Sequence, residues 1–270
     1  MTTASFARLV DLDLPSPPDV MTRLSLLLAD DDFDMKTAAA LIENDMALAA
    51  AVVKAVNSPL YGVNGRVQSV QQAITYLGMR EVTAVVYELG LRSVFPNSAE
   101  IDALWKRASV RGLLMGRIGQ QLNVDPWGAH SAGLFEECGK ALLFRHSRDR
   151  YLPLLQLAPS DRELRVMETA EFGVAHDELG ALLCEHWGLS PAVVASVRHH
   201  VEVQASRELP AQVPRRSLCA LSALVHALMT SPDDLEDVVA AVAPQALLDE
   251  TLMLRGARQV HERLEPGLLH

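Results

Sequence analysis

The sequence predicts an all-α protein. Every strong hydrophobic periodicity repeats at three- and four-residue spacing, as expected for one face of a helix, and no segment shows the sustained alternation of a strand. Residues that begin and end helices recur along the whole chain. The composition agrees, because alanine, leucine and valine dominate and only 5% of the residues are aromatic. Helices packed through aliphatic side chains are therefore expected.

The helices of the first part of the chain are predicted from their caps. A serine and two prolines precede the first helix, aspartates can cap the next two, and a serine-glutamine capping box opens the fourth. Gly78 can end that fourth helix, and a fifth precedes Pro96. In order, the predicted starts and approximate ends are Ser16 to Leu28, Asp34 to Ile42, Asp45 to Val56, Ser69 to Gly78, and Arg80 to Val94.

The second part carries the longest predicted helix and the most unusual motif. That helix runs from Asn97 through Trp105 to about Leu122. The stretch AGLFEECGKALL, residues 132–143, reads as one apolar helical run with two adjacent acids inside it. Neighbours on a helix point about 100° apart, so the two acids need not share a site. Further helices are predicted at about 160–173, 175–187, 216–229 and 250–264, and another begins at Ser190 and carries residues 198–200.

Composition and short motifs exclude several classes of function. A formal charge of −10 and a pI near 5.3 argue against a nucleic-acid or anionic-membrane binder. No apolar run reaches the length of a membrane span, and the start of the chain lacks the pattern of a secretory signal. Three cysteines without a CxxC spacing indicate free thiols, so a cytoplasmic location is expected. No nucleophile elbow, phosphate-binding glycine loop or dinucleotide fingerprint is present.

Several stretches, taken together and in order, resemble the HDOD domain, the HD-related output domain of bacterial signalling proteins. They are LPSPPDVMTRLSLLL, LIENDMALAAAVVKAVNSPLYG, VQSVQQAITYLGMREV, AGLFEECGKALL and AHDELGALLCEHWGLSPAVVASVRHH. The resemblance covers residues 12–205 and implies an HD-superfamily-like helical bundle (97–205) with an added N-terminal helical half (12–96). Residues 206–270 would form a helical extension packed on the HD-like half. Such modules are generally regulatory and non-catalytic, and act through a protein partner.

The resemblance also suggests why two acids stand side by side in AGLFEECGKALL. In catalytic HD enzymes a His-Asp pair stands before the Gly-Lys that is retained here, so the pair corresponds to Glu136 and Glu137. Another metal-binding histidine corresponds to Arg107, which cannot bind a metal ion. The final aspartate corresponds most closely to His226. We call Arg107, Glu136, Glu137, Lys140 and His226 the relic positions. No metal, cofactor or catalytic activity is expected there, and an Arg107–carboxylate ion pair or partly exposed acids are expected instead.

Two other groups of residues are candidates for function. The first is the turn-rich loop with Asn57, Ser58, Pro59, Tyr61 and Gly62, which either has a structural role or contacts a partner. The second comprises His176, His199 and His200, which either pack in the core or contact a ligand. Two rival functions stay open. One is a divergent metal-dependent phosphohydrolase with Glu136, Glu137, His199 and His200 as ligands, and the other is a catalytically silent sensor that binds a small nucleotide in the former cleft.

Overall fold

The computed structural model describes residues 13–28, 34–62, 65–211 and 216–262. Within these ranges all regular structure is helical and no strand is present, so the predicted all-α class is confirmed. None of the helices described is both long enough and apolar enough to cross a membrane. The chain forms two compact units: one spans Ser16–Asn97, and the other takes in residues 98–262 together with residues 13–15.

The first unit contains five α-helices and one short 3-10 turn. The side chains of Asp34, Asp45 and Ser69 accept hydrogen bonds from backbone N–H groups in the first turns of the helices that they cap. Helix α5 packs against α3 and α4 through an aliphatic core. The helices are α1 (Asp19–Leu28), α2 (Met35–Glu43), α3 (Met46–Val56), α4 (Val70–Leu77) and α5 (Met79–Ser93), with the 3-10 turn at Pro59–Tyr61.

The described residues of the second unit form ten α-helices. They are α6 (Asp102–Gln121), α7 (Pro126–Phe135), α8 (Cys138–His146), α9 (Arg148–Leu157), α10 (Asp161–Phe172), α11 (His176–His186), α12 (Pro191–Ser206), α13 (Ser217–Thr230), α14 (Leu235–Ala246) and α15 (Glu250–Glu262). Helices α6 and α7 form the most extensive pair, and α11 contacts both α8 and α12. Helix α13 packs on α12, and α15 packs on α6.

Glycines allow two of these helix pairs to approach closely. A methyl group added at Gly139, on α8, would overlap the backbone carbonyl of His176 at the start of α11. A methyl group at Gly133, on α7, would come within 2.9 Å of the carbonyl oxygen of Arg111 on α6. Both approaches bring the residues around Glu136 and Glu137 against neighbouring helices, so the glycines fix the position of the two acids.

The structure differs from the sequence-based expectation at three places. Two helices, α9 and α14, were not expected. Each contains an internal proline, Pro153 and Pro244, a residue that usually argues against a helix because it lacks a backbone N–H. The third difference is a break inside AGLFEECGKALL, described below. The last helix is described as far as Glu262, and its expected end near Leu264 lies outside the described residues.

Candidate functional site: a buried charged cluster

Glu136 and Glu137 form a turn between two helices and do not lie within one. Helix α7 ends at Phe135 and α8 begins at Cys138, and the carbonyl oxygen of Glu137 accepts the backbone N–H of Lys140 at 3.1 Å. The expectation of a continuous helix was therefore wrong. Directly after this turn, Gly139 lies in close contact with the start of α11. Both acids are buried, with 0% and 2% exposure, so of the two alternatives, partly exposed acids or an ion pair with Arg107, the first does not hold.

Glu136 is bound by a buried arginine and an amide. The guanidinium of Arg111, from α6, forms an ion pair with Oε2 of Glu136, and Arg111 is also buried. Nε2 of Gln204, from α12, donates to the same oxygen at 3.1 Å and to the hydroxyl of Ser222 at 3.0 Å. A buried carboxylate is tolerated when it is paired and hydrogen-bonded; these contacts satisfy Oε2, while Oε1 is buried without a hydrogen-bond partner.

Glu137 lies at the centre of three cations. Its Oε2 is 2.9 Å from Nζ of Lys140 and 3.3 Å from a guanidinium nitrogen of Arg107, while Oε1 is 3.9 Å from Arg111. Lys140, which is 1% exposed, also contacts Oδ1 of Asp161 at 2.8 Å. The ion pair between Arg107 and an acid is thus present, and it is one contact in a larger network of ion pairs. We call Arg107, Arg111, Glu136, Glu137, Lys140 and Asp161 the charged cluster.

The charges in this cluster support one another. Burial raises the pKa of Glu137, but Lys140 and Arg107 outweigh it and hold that pKa well below its usual value. Burial likewise opposes ionisation of Asp161, yet Lys140 lowers its pKa overall. Burial lowers the pKa of Lys140, and the two acids more than reverse this and raise it. All three groups are therefore charged at neutral pH.

The relic positions do not fit the metal ion that an HD fold implies. Arg107, Arg111 and Lys140 contact Oε2 of Glu136 and both oxygens of Glu137, which leaves Oε1 of Glu136, buried and without a hydrogen-bond partner, as the one oxygen of these two acids outside the ion pairs. Arg107 stands where an imidazole would be needed, and a guanidinium cannot lose its proton to become a ligand. Arg107, Arg111 and Lys140 directly contact Glu136 and Glu137 and would repel a dication placed between these two acids. The charged cluster thus occupies the position with ion pairs alone.

A cavity of about 780 Å³ opens beside the cluster. Arg107, Glu137 and Asp161 lie on its wall, together with the last relic position, His226. Burial, and secondarily the charge of Arg111, lowers the pKa of His226 to about 4, so this imidazole is neutral at pH 7. The four relic residues Arg107, Glu136, Glu137 and Lys140 meet in one network, and His226 borders it across the cavity.

The three candidate histidines separate into two environments. His176 and His200 are buried, and their ring centroids lie 5.4 Å apart. His199, the neighbour of His200 on α12, is only half-buried and points elsewhere. The ligand set of the rival phosphohydrolase, with both acids and both adjacent histidines, is therefore not assembled: the acids face cations and His199 lies apart from His200.

The loop after α3, in the first unit, is held by Asn57. Its Nδ2 donates to the carbonyl oxygens of Val53 at 2.9 Å and Val67 at 2.7 Å, and its Oδ1 accepts the N–H of Val67 at 3.1 Å. Tyr61 is buried, while Pro59 and Gly62 are exposed and Ser58 is half-buried. Asn57 therefore has a structural role, and Pro59 and Gly62 are the loop residues open to contact.

Sequence reasoning missed four residues of this region, namely Arg111, Asp161, Glu168 and Gln204. Arg111 follows Arg107 by four residues and so shares its helix face, which was a usable signal. Glu168, an acid in an otherwise ordinary amphipathic helix, gave no sign that it would be fully buried. Asp161 and Gln204 reach the cluster only through the tertiary arrangement of α10 and α12, which the sequence does not display.

Comparisons with known proteins identify relatives of this chain in sequence and in fold. A relative in Treponema pallidum (strain Nichols), an uncharacterized protein, is 27% identical over 205 residues; the match covers 73% of this chain but only 39% of that protein. A candidate phosphohydrolase from Shewanella amazonensis SB2B has the same fold, with a TM-score of 0.71 at 18% identity over 97% of this chain and 96% of that one. A candidate signal transduction protein from Marinobacter aquaeolei VT8 also gives 0.71, at 22% identity over 94% of this chain and 60% of that one.

The family model for the HDOD domain matches residues 14–203, which is most of the chain and agrees with the range expected from the sequence motifs. The chain therefore belongs to the HDOD family.

Proposed function

We propose that this protein is a non-catalytic module of bacterial signal transduction that acts by binding another protein. The observation that carries the proposal is the charged cluster, in which Arg111, Arg107 and Lys140 hold the two acids that replace the His-Asp pair. Hydrolysis of a phosphate ester in an HD site depends on a metal ion that polarises the phosphate and activates water. Ion pairs supply neither function, so the cluster serves to hold the fold together.

A groove in the first unit supports the contact role. Its volume is about 560 Å³, and it runs along α3 to the start of α4. Met46 lies on its wall and is 84% exposed, although a side chain of this size and polarity is usually covered. Methionine adapts its shape to different apolar surfaces. The groove suits a partner that inserts apolar side chains, with Glu43 and Lys54 on the wall to pair with polar groups.

Asn57 connects the two walls of this groove. Val53, whose carbonyl accepts from Asn57, lines the groove on α3, and Gln68, next to the Val67 that Asn57 also holds, lines it just before α4. We infer that Asn57 sets the width of the groove and does not itself contact the partner. The exposed residues Pro59 and Gly62 would lie at the margin of the contact.

The state of the cysteines favours a cytoplasmic location for this signalling module. Cys138, Cys184 and Cys219 are buried free thiols, and burial raises the pKa of each. Proteins that keep all their cysteines as thiols are typical of reducing compartments. The pathway could involve second messengers, stress or motility, and the chain leaves that choice open.

Photo-cross-linking in the native host tests the contact role. A photoreactive amino acid replaces Met46 in one variant and Leu247 in another; Leu247 is 93% exposed and belongs to the second unit, so it is a matched control. We expect a discrete protein adduct from position 46 and none from position 247. The adduct should weaken when Asn57→Ala is added. Adducts of the same kind from both positions, or none from position 46, would count against this surface.

A second candidate function is nucleotide sensing in the cavity of the second unit. Its volume of about 780 Å³ lies within the range of small-ligand pockets, roughly 300–1,000 Å³. Arg107 and Arg162 on its wall could contact phosphate, but Glu100, Glu137 and Asp161 line the same cavity and oppose an anion. A rise in melting temperature with added nucleotide, absent in Arg162→Ala, would favour this candidate over the first.

A further inference from the structure

Three potential metal ligands come together next to the charged cluster. A carboxylate oxygen of Asp161 and one ring nitrogen each of His176 and His200 all lie within 4.8 Å of one another. They come from three helices: Asp161 begins α10, His176 begins α11, and His200 lies in α12. We propose that these residues, the triad, bind one divalent transition metal ion of the zinc or cobalt class. The triad includes none of the relic positions.

The imidazole of His176 is oriented as a metal ligand. Its Nδ1 lies 2.6 Å from Oε2 of Glu168, which also accepts the backbone N–H of His176 at 2.8 Å. The other oxygen of Glu168 accepts the hydroxyl of Tyr151 at 2.7 Å, so the carboxylate is held on both sides. A carboxylate behind a histidine is the arrangement that fixes the ring and its tautomer in metal sites. Nε2 is then the free nitrogen, and it is buried without any hydrogen-bond partner.

His200 is oriented in the same sense by the backbone. Its Nδ1 lies 2.6 Å from the carbonyl oxygen of Val197. A carbonyl only accepts hydrogen bonds, so Nδ1 carries the proton and Nε2 keeps its lone pair. The Nε2 lone pair of this buried ring is thus available to a metal ion.

Asp161 supplies the carboxylate and the access path. Lys140 contacts its Oδ1, and a carboxylate has two oxygens, so it can bind an ammonium group and a metal ion together. Its side chain is 28% exposed and lies on the wall of the cavity, through which an ion and its water could enter. Two histidines and one carboxylate with open positions form a recognised ligand set for divalent transition metals.

The local charge leaves room for a dication. Lys140 is the cation that contacts Asp161, and the carboxylate of Glu168, which contacts His176 and the hydroxyl of Tyr151, stands behind one of the two imidazoles. Ligand distances of about 2.0–2.2 Å require the three atoms to move together by on the order of 1 Å. Such a shift would tie α10, α11 and α12 to one another. The ion would thus stabilise the second unit, which revises the expectation of no metal anywhere in the chain.

Metal titration tests the triad directly. The full chain is stripped with a chelator and titrated with Co²⁺, whose ligand-field absorption reports its coordination, and then with Zn²⁺ in competition. We expect one ion per chain. His200→Ala should weaken metal binding by at least about 10- to 100-fold. Loss of a residue that only hydrogen-bonds to a metal ligand already reduces affinity by that factor, and His200 is itself a ligand in this proposal. Its neighbour gives the matched control, since His199→Ala should bind as the unaltered protein does.

A second variant guards against misfolding. Asp161 is partly exposed, so Asp161→Asn should keep the helical circular-dichroism spectrum while losing the same affinity. The proposal is overturned if the unaltered chain binds no Co²⁺ or Zn²⁺. It is equally overturned if His200→Ala and Asp161→Asn bind with unchanged affinity, because the ion would then lie elsewhere.

Discussion

The ammonium group of Lys140 lies 2.9 Å from the carboxylate of Glu137, and both side chains are almost completely buried. Removing one member of such a pair leaves the other charge buried and uncompensated. We predict that Lys140→Met and Glu137→Leu each lower the free energy of unfolding by about 3–5 kcal/mol. The double variant should lose clearly less than the sum. Urea unfolding of the four proteins measures this coupling.

A matched control for that cycle lies on the surface. Arg258 and Glu236 also form an ion pair, but both are exposed. Exposed pairs contribute little to stability, so Arg258→Ala should leave the unfolding midpoint almost unchanged. If Lys140→Met proved as mild as Arg258→Ala, the charged cluster would not hold the fold together.

Gly139 is predicted to be essential for the turn that carries the two acids. A side chain there would overlap the carbonyl of His176, a backbone atom that cannot move aside alone. Gly139→Ala should cost at least about 1–3 kcal/mol, the usual penalty of overpacking. Gly62→Ala is the control, since its φ of 68° adds strain but no atom lies in the way. A thermal melt in which Gly139→Ala is no worse than Gly62→Ala would contradict the close helix contact.

Alanine substitutions at Asn57 and Ser58, which are adjacent in the loop, should have very different effects on stability. Asn57→Ala removes two hydrogen bonds to Val67, in the segment before α4, and one to Val53 in α3, and should cost about 1–3 kcal/mol. Ser58 makes no side-chain capping bond, so Ser58→Ala should change stability by less than about 0.5 kcal/mol. Equal effects in denaturant titrations would mean that the hydrogen bonds of Asn57 contribute nothing.

As the pH falls, the free energy of unfolding should decrease first because of the buried histidines, before the buried carboxylates become protonated. Burial lowers the pKa of His130 to about 4, and burial with Arg111 does the same for His226. Both folded pKa values lie below the ordinary value near 6.5, so the unfolded chain takes up protons first as the pH falls. Their contribution to stability is complete above about pH 6.5 and is lost progressively toward pH 4.

One substitution tests whether His226 contributes to this loss of stability at acid pH. The pKa values of Glu137 and Asp161 are held below the ordinary range, so their contribution is lost only at lower pH. His226→Gln should therefore flatten the fall in unfolding free energy between about pH 6.5 and 4.5 in metal-free buffer. An unchanged slope would show that His226 is not protonated on unfolding in this range.

The sequence predicted the helical class, the family and most helix boundaries because caps and hydrophobic spacing are local signals. Asp34, Asp45 and Ser69 each cap the expected helix. The sequence did not show the turn at Glu136 and Glu137, which lies beside a close contact between Gly139 and a helix that begins at residue 176. The same limit hid the triad, because Asp161 and His200 are far apart in the chain and the role of Glu168 depends on full burial.

The most direct measurement of the central claim is turnover of phosphate esters. The purified protein is incubated with nucleotides and phosphodiesters in Mg²⁺, Mn²⁺, Fe²⁺ or Zn²⁺, beside Glu137→Gln and the reverting double variant Glu136→His with Glu137→Asp. We predict that none exceeds a protein-free blank, since Arg107 and Arg111 remain in the double variant. Metal-dependent hydrolysis by the unaltered protein that Glu137→Gln abolishes would contradict the account.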